Sequence, residues 1–116
     1  MRGGDDNMRI DALKYRTEDN QDIIIVVELM IGYGYQDKKI WRVADIGYKS
    51  SRKRKYTYLS TEIRDKYEYR KLSQEERESY IKEKYVEFVG VDKIEEAVIA
   101  AWKSIMPNTE ELSYSV

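Results

Sequence analysis

"IIIVVELMIGYGY", residues 23–35, contains the longest apolar run of the chain, and its reading decides the fold. The run is β-branched from Ile23 to Val27 and apolar at odd and even positions alike. That pattern predicts a strand placed mid-sheet with cover on both faces. Glu28 interrupts it, and an inward carboxylate needs a partner, for which Arg42 across the sheet is the expected choice. Residues 23–31 fall far short of the ~20 apolar residues of a membrane helix. The run also lies too far inside the chain, behind too many acids, to be a signal peptide. A soluble, cytoplasmic protein with no membrane contact is expected.

Upstream, "RIDALKYR" (9–16) reads as a strand with Ile10, Leu13 and Tyr15 toward the core. Its alternation breaks at Ala12–Leu13, which predicts a bulge or a looser segment. "TEDNQD" (17–22) has turn composition. Downstream, "QDKK" makes a turn before "IWRVADIGYK" (40–49), a strand with Trp41 and Val43 on one face and Ile40, Ala44, Ile46 and Tyr48 on the other. After a loop at 50–54, "KYTYL" is a short strand with Tyr56 and Tyr58 on a common face. Residues ~9–59 thus predict an antiparallel meander of three or four strands.

The hydrophobic period then changes. Ser60 or Thr61 is a candidate cap for a helix over ~61–72, in which Ile63 and Tyr67 lie one turn apart. "SQEE" is a capping box, Ser73 with Glu76, opening a helix over 74–89 that Gly90 suits as terminator. "VEFVG" also fits a short strand. Asp92 and Glu95 repeat the capping device for a helix over 93–106, with Ile94, Ala97, Val98, Ala101 and Ile105 as its stripe. Pro107, the single proline, stops it. Strands first and helices second predict an α+β domain over 9–107, with helices packed on one face of the sheet. Residues 1–8 and 108–116 are expected to be flexible.

Composition narrows the chemistry. The 116 residues include no cysteine and no histidine. Disulfides, thiolate chemistry and the usual general base and metal ligand are therefore excluded. No catalytic residue, metal site or cofactor is expected, and the reading is non-enzymatic. "EDNQD" (18–22) lacks the spacing of a calcium loop. Gly32, Gly34 and Lys38 suggest a phosphate loop, but the next segment reads as a strand, not as the helix that would aim its amides at the anion. Glu28 and Asp45 lie on strands, without the E-x-K constellation of a metal-dependent nuclease. The two capped helices resemble a helix-turn-helix only in outline, because Asp92, Glu95 and Glu96 would meet the DNA phosphates.

The net charge is −1, unevenly spread. "GYKSSRKRKYTY" (47–58) concentrates Lys49, Arg52, Lys53, Arg54 and Lys55, and leaves the rest of the chain acidic. These cations are candidates for phosphate contact, with Tyr48, Tyr56 and Tyr58 as candidates for base stacking. The plain alternative is a solvated hairpin tip whose charge discourages edge pairing. Tyr67, Tyr69, Tyr80 and Tyr85 mark a second candidate surface, for protein binding, amid i,i+4 pairs such as Glu62–Lys66 and Glu78–Lys82. Three expectations follow. One is a domain contacting nucleic acid or a ribonucleoprotein. Another is a small protein-directed inhibitor or adaptor, by analogy of size and composition with phage-encoded antagonists of host defence such as anti-CRISPR proteins. The third is a homo-oligomer with a small ligand between subunits.

Overall fold

The computed structural model describes residues 8–31 and 39–105. Its central strand is the apolar stretch: β2 (Gln21–Ile31) lies between β1 (Met8–Arg16) and β3 (Lys39–Ser50), antiparallel to both. On its other side β3 pairs with the two-residue β4 (Thr57–Tyr58), which completes a four-stranded meander in the order β1-β2-β3-β4. Among the described residues four helices follow, so the architecture is α+β. They are α1 (Leu59–Arg64), α2 (Tyr67–Arg70), α3 (Gln74–Val89) and α4 (Val91–Ile105). Met8 belongs to β1. The remaining expectations for the termini, for Pro107 and for the Gly32–Lys38 turn lie outside the described residues.

Every side chain from Ile23 to Leu29 is buried, as a two-faced apolar strand requires. Ile23, Ile25 and Val27 share one core with Ile46 of β3, Ile63 of α1, Tyr85 of α3, and Ala97 and Ala101 of α4. Each fully buried branched side chain contributes about 1.5–3 kcal/mol relative to exposure. Ala97 and Ala101 are small enough to let α4 lie close across β1, β2 and β3. On the second face, Tyr58 and Tyr56 close over Gly47 and Ile24. Glu28, 5% exposed, receives Arg42 Nε at 3.3 Å from the residue directly opposite it in the ladder, the expected partner.

Two bulges shape the sheet. Asp11 and Leu13 oppose the adjacent residues Val26 and Ile25, so Ala12 is the extra residue of β1, where the alternation breaks. In β3, Asp45 and Val43 oppose Val26 and Val27, so Ala44 is a second extra residue. Strict alternation places Ile46 and Tyr48 opposite Trp41 and Val43. The Ala44 bulge overturns that reading, and all four join the same core. Both bulges flank Val26 of β2.

The helix expected over 61–72 is two helices. The chain leaves α1 at Asp65 and takes extended backbone at Lys66 (φ −82°, ψ 144°) before α2 begins. Neither Ser60 nor Thr61 caps α1 with its side chain, because the cap position is Tyr58. Asp45 reaches over from β3 instead and accepts the Ser60 N–H at 3.0 Å and its hydroxyl at 2.5 Å. The Ser73–Glu76 capping box forms as read, with both reciprocal hydrogen bonds in place. Residues 85–89 are helix. Asp92 is not the cap of α4, which starts at Val91 with the Ile94 N–H donating to the Gly90 carbonyl at 3.3 Å. The Gly90 N–H closes α3 on Val86 at 2.8 Å, so one residue with φ 92° ends one helix and opens the next. That φ favours glycine.

Candidate nucleic-acid interface

The five cations of residues 49–55 divide into one that the sheet holds and four that it leaves outside. Arg16, Asp22 and Lys49 are neighbours across β1, β2 and β3. Asp22 accepts Arg16 Nε at 2.7 Å and Lys49 Nζ at 2.9 Å, and these hydrogen bonds hold its carboxyl down at about 2. Lys49 also lies 5.4 Å from the centre of the Tyr56 ring, and its side chain is 14% exposed. Its charge is committed to the fold.

Arg52, Lys53, Arg54 and Lys55 are exposed, and none has a side-chain partner among the described residues. The backbone beneath them is ordered by short-range bonds. The Lys53 N–H donates to the Ser50 carbonyl at 2.9 Å, and the Arg52 N–H donates to Ser50 Oγ at 3.3 Å. The Ser51 N–H donates to the Asn20 carbonyl at 3.1 Å, tying the tip to the β1–β2 turn. That turn carries Glu18 and Asp19, and the Thr17 hydroxyl donates to the Asp19 carboxylate. The tip is therefore a four-charge projection with two acids beside its base.

The tyrosines flanking the tip face the sheet. The Tyr48 hydroxyl donates to Glu62 Oε2 at 2.7 Å, which raises the phenol pKa, and its ring lies 5.4 Å from that of Phe88. Glu62 is thereby engaged with Tyr48, and Lys66 sits past the end of α1, so the expected Glu62–Lys66 pair does not form. Tyr56 and Tyr58 have ring centres 6.2 Å apart and are half-buried; burial is the main cause of the raised Tyr58 phenol. The structure thus gathers the cations at the tip and turns the three candidate stacking rings inward.

The other four tyrosines do not share a face. Tyr67 is 71% exposed under Lys71, whereas Tyr69 is half-buried, 6.2 Å from the Tyr80 ring and 5.0 Å from the Arg77 guanidinium. Tyr85 is not a surface residue at all: it is 4% exposed, and its hydroxyl donates to the Ala44 carbonyl at 3.2 Å. No group of histidine, cysteine or acidic side chains among the described residues is disposed to hold a metal ion. No described helix is long and apolar enough to cross a membrane. Sequence reading also missed a cationic cleft assembled from all three long strands and from α1, α2 and α3. Its residues are scattered between positions 9 and 85, so no local run signals it. The chain matches no protein-family model, no curated protein and no solved structure in comparisons with each.

Proposed function

We propose that this is a non-enzymatic domain that contacts nucleic acid, or a nucleic-acid–protein complex, through the tip at Arg52–Lys55. The observation that carries the reading is the four adjacent exposed cations without protein partners among the described residues, on a loop whose first half is hydrogen-bonded at the Ser51, Arg52 and Lys53 amides. Fixed backbone lowers the ordering entropy of binding, and unpaired cations have no ion pair to break. With Tyr48, Tyr56 and Tyr58 packed on the sheet, the contact is to phosphates and is independent of base sequence. Four neutralised phosphates on duplex give a slope of about −3.6 in log K against log salt. Fluorescence anisotropy with duplex and single-stranded oligonucleotides over a salt series measures that slope. The triple variant Arg52→Glu, Lys53→Glu, Arg54→Glu is expected to lose binding. Unchanged affinity in that variant would falsify the assignment.

The second reading, a small protein-directed inhibitor or adaptor of the kind phages encode against host defence, draws on a different surface. Tyr67 of α2 is 71% exposed, and Val86, Phe88 and Val91 are exposed around the α3–α4 junction. Affinity capture with and without nuclease separates the two. One stable protein partner that survives nuclease treatment favours this second reading, whereas recovery of nucleic acid alone counts against it.

A further inference from the structure

A second gathering of positive charge lies in a cleft of about 450 Å3, away from the tip in sequence and built by different elements. Arg9 of β1, Arg42 of β3, Arg64 of α1, and Arg77 and Lys82 of α3 line it, against the carboxylates of Glu28 and Glu78. In a chain of net charge −1, a cleft with that surplus of cations is not an average of the surface. Two of the five are occupied by the fold. Arg42 is paired with Glu28. Arg77 donates to the carbonyls of Tyr69 and Arg70, at 3.2 and 2.7 Å, which ties α3 to the end of α2.

Arg9, Arg64 and Lys82 are exposed and have no side-chain partner among the described residues, and Glu78 is not ion-paired to Lys82. Burial raises the pKa of the Tyr85 phenol on the cleft wall, and Asp45 adds to that rise, while Arg64 and Arg9 oppose it. Two guanidinium groups from separate elements therefore act on one point of the wall. Cations gathered along one concave surface sum to a field that attracts a small anion. Guanidinium forks match the oxygens of phosphate, and Tyr69, Ile81 and Val43 supply an apolar wall beside them. The volume is that of a small-molecule site.

We propose that this cleft binds a phosphate monoester on a body of mononucleotide size, with Arg9, Arg64 and Lys82 holding the phosphate and Tyr69 and Ile81 bordering the organic part. The proposal is independent of the tip. A free mononucleotide and the 5′-phosphate end of a strand present the same chemistry.

Nitrogen-15 NMR of the full chain titrated with adenosine monophosphate tests it, with a 5′-phosphorylated oligonucleotide, its 5′-hydroxyl counterpart and citrate as further arms. Saturable shifts at the cleft amides are expected with the monophosphate. A preference for the phosphorylated strand over its hydroxyl counterpart at those same amides would name the strand end as a source as well. The double variant Arg64→Gln, Lys82→Gln removes two exposed, unpartnered charges. It should keep the spectrum of a folded chain and weaken binding about tenfold or more. Arg52→Glu with Lys53→Glu and Arg54→Glu should leave this titration unchanged. No shifts at millimolar monophosphate, equal binding of citrate, indifference to the Arg64 and Lys82 changes, or loss on changing the tip would each overturn the proposal.

Discussion

At Gly47 a β-carbon would lie 2.8 Å from Tyr58 Cε1 and 2.9 Å from Ile24 Cγ2, closer than packed carbons allow. At Gly90 nothing lies within 4 Å of that position, but the backbone holds φ at 92°. The two glycines are required for opposite reasons, one steric and one conformational. Gly47→Ala is expected to destabilise by about 1–3 kcal/mol through overpacking. Gly90→Ala should cost about 1–3 kcal/mol through backbone strain, since φ 92° with ψ 153° is a region essentially reserved for glycine. Urea denaturation measures both, and adding Tyr58→Ala should recover part of the Gly47 loss and none of the Gly90 loss. Of the two, only Gly90 was legible beforehand, because a helix terminator is a local signal. The need at Gly47 arises from the Tyr58 ring, eleven positions away, folding back onto it. Lys49 teaches the same lesson: nothing in "KSSRKRK" tells it apart from its neighbours until Asp22 and Arg16 stand beside it.

Among the elements, β3 depends on one extra residue. With Ala44 in place, Trp41 and Val43 face the same core as Ile46 and Tyr48, and the Ala44 carbonyl accepts the buried Tyr85 hydroxyl. Deleting Ala44 leaves β3 a regular strand in which all four side chains keep that face, so what is lost is the bulge and the carbonyl that accepts the Tyr85 hydroxyl. The deletion is expected to leave unfolding cooperative and to destabilise by about 1–3 kcal/mol in urea denaturation, as an unsatisfied buried hydroxyl costs. Loss of the cooperative transition would show that the core depends on the bulge itself. The bulge at Ala12 was readable because the apolar pattern of β1 itself stumbles there. The one at Ala44 was hidden, since "IWRVADIGY" alternates acceptably in either phase. A similar contrast separates the helix starts. The Ser73–Glu76 box is closed by residues three apart, whereas the amide and hydroxyl of Ser60 depend on Asp45, fifteen positions back.

Across the whole molecule, charge is organised as one tie, one tip and one cleft. The tie is Asp22, which links β1 and β3 through Arg16 and Lys49. Its folded carboxyl sits at about 2, against an ordinary value of about 3.9 in an unfolded chain. A depressed carboxylate contributes stability that is fully present above the unfolded value and lost as pH falls toward the folded one. The stability difference between the parent and Asp22→Asn should therefore be constant above about pH 5 and shrink between about pH 4 and 2. Denaturant titrations across that window check it, and a difference that stays constant down to pH 2 would refute the role given to the tie. The chain's sequence determined the order of strands and helices, the central place of residues 23–31, the Glu28–Arg42 pair and the concentration of charge at 52–55. Each of these follows from periodicity or from composition within a few residues. Only the tertiary structure decided that Lys49 is spent inside the sheet, that Tyr56 and Tyr58 cover Gly47, and that Arg9, Arg64 and Lys82 meet in one cleft. Those outcomes depend on distances between residues far apart in the chain, which bulges and register set and which no local pattern encodes.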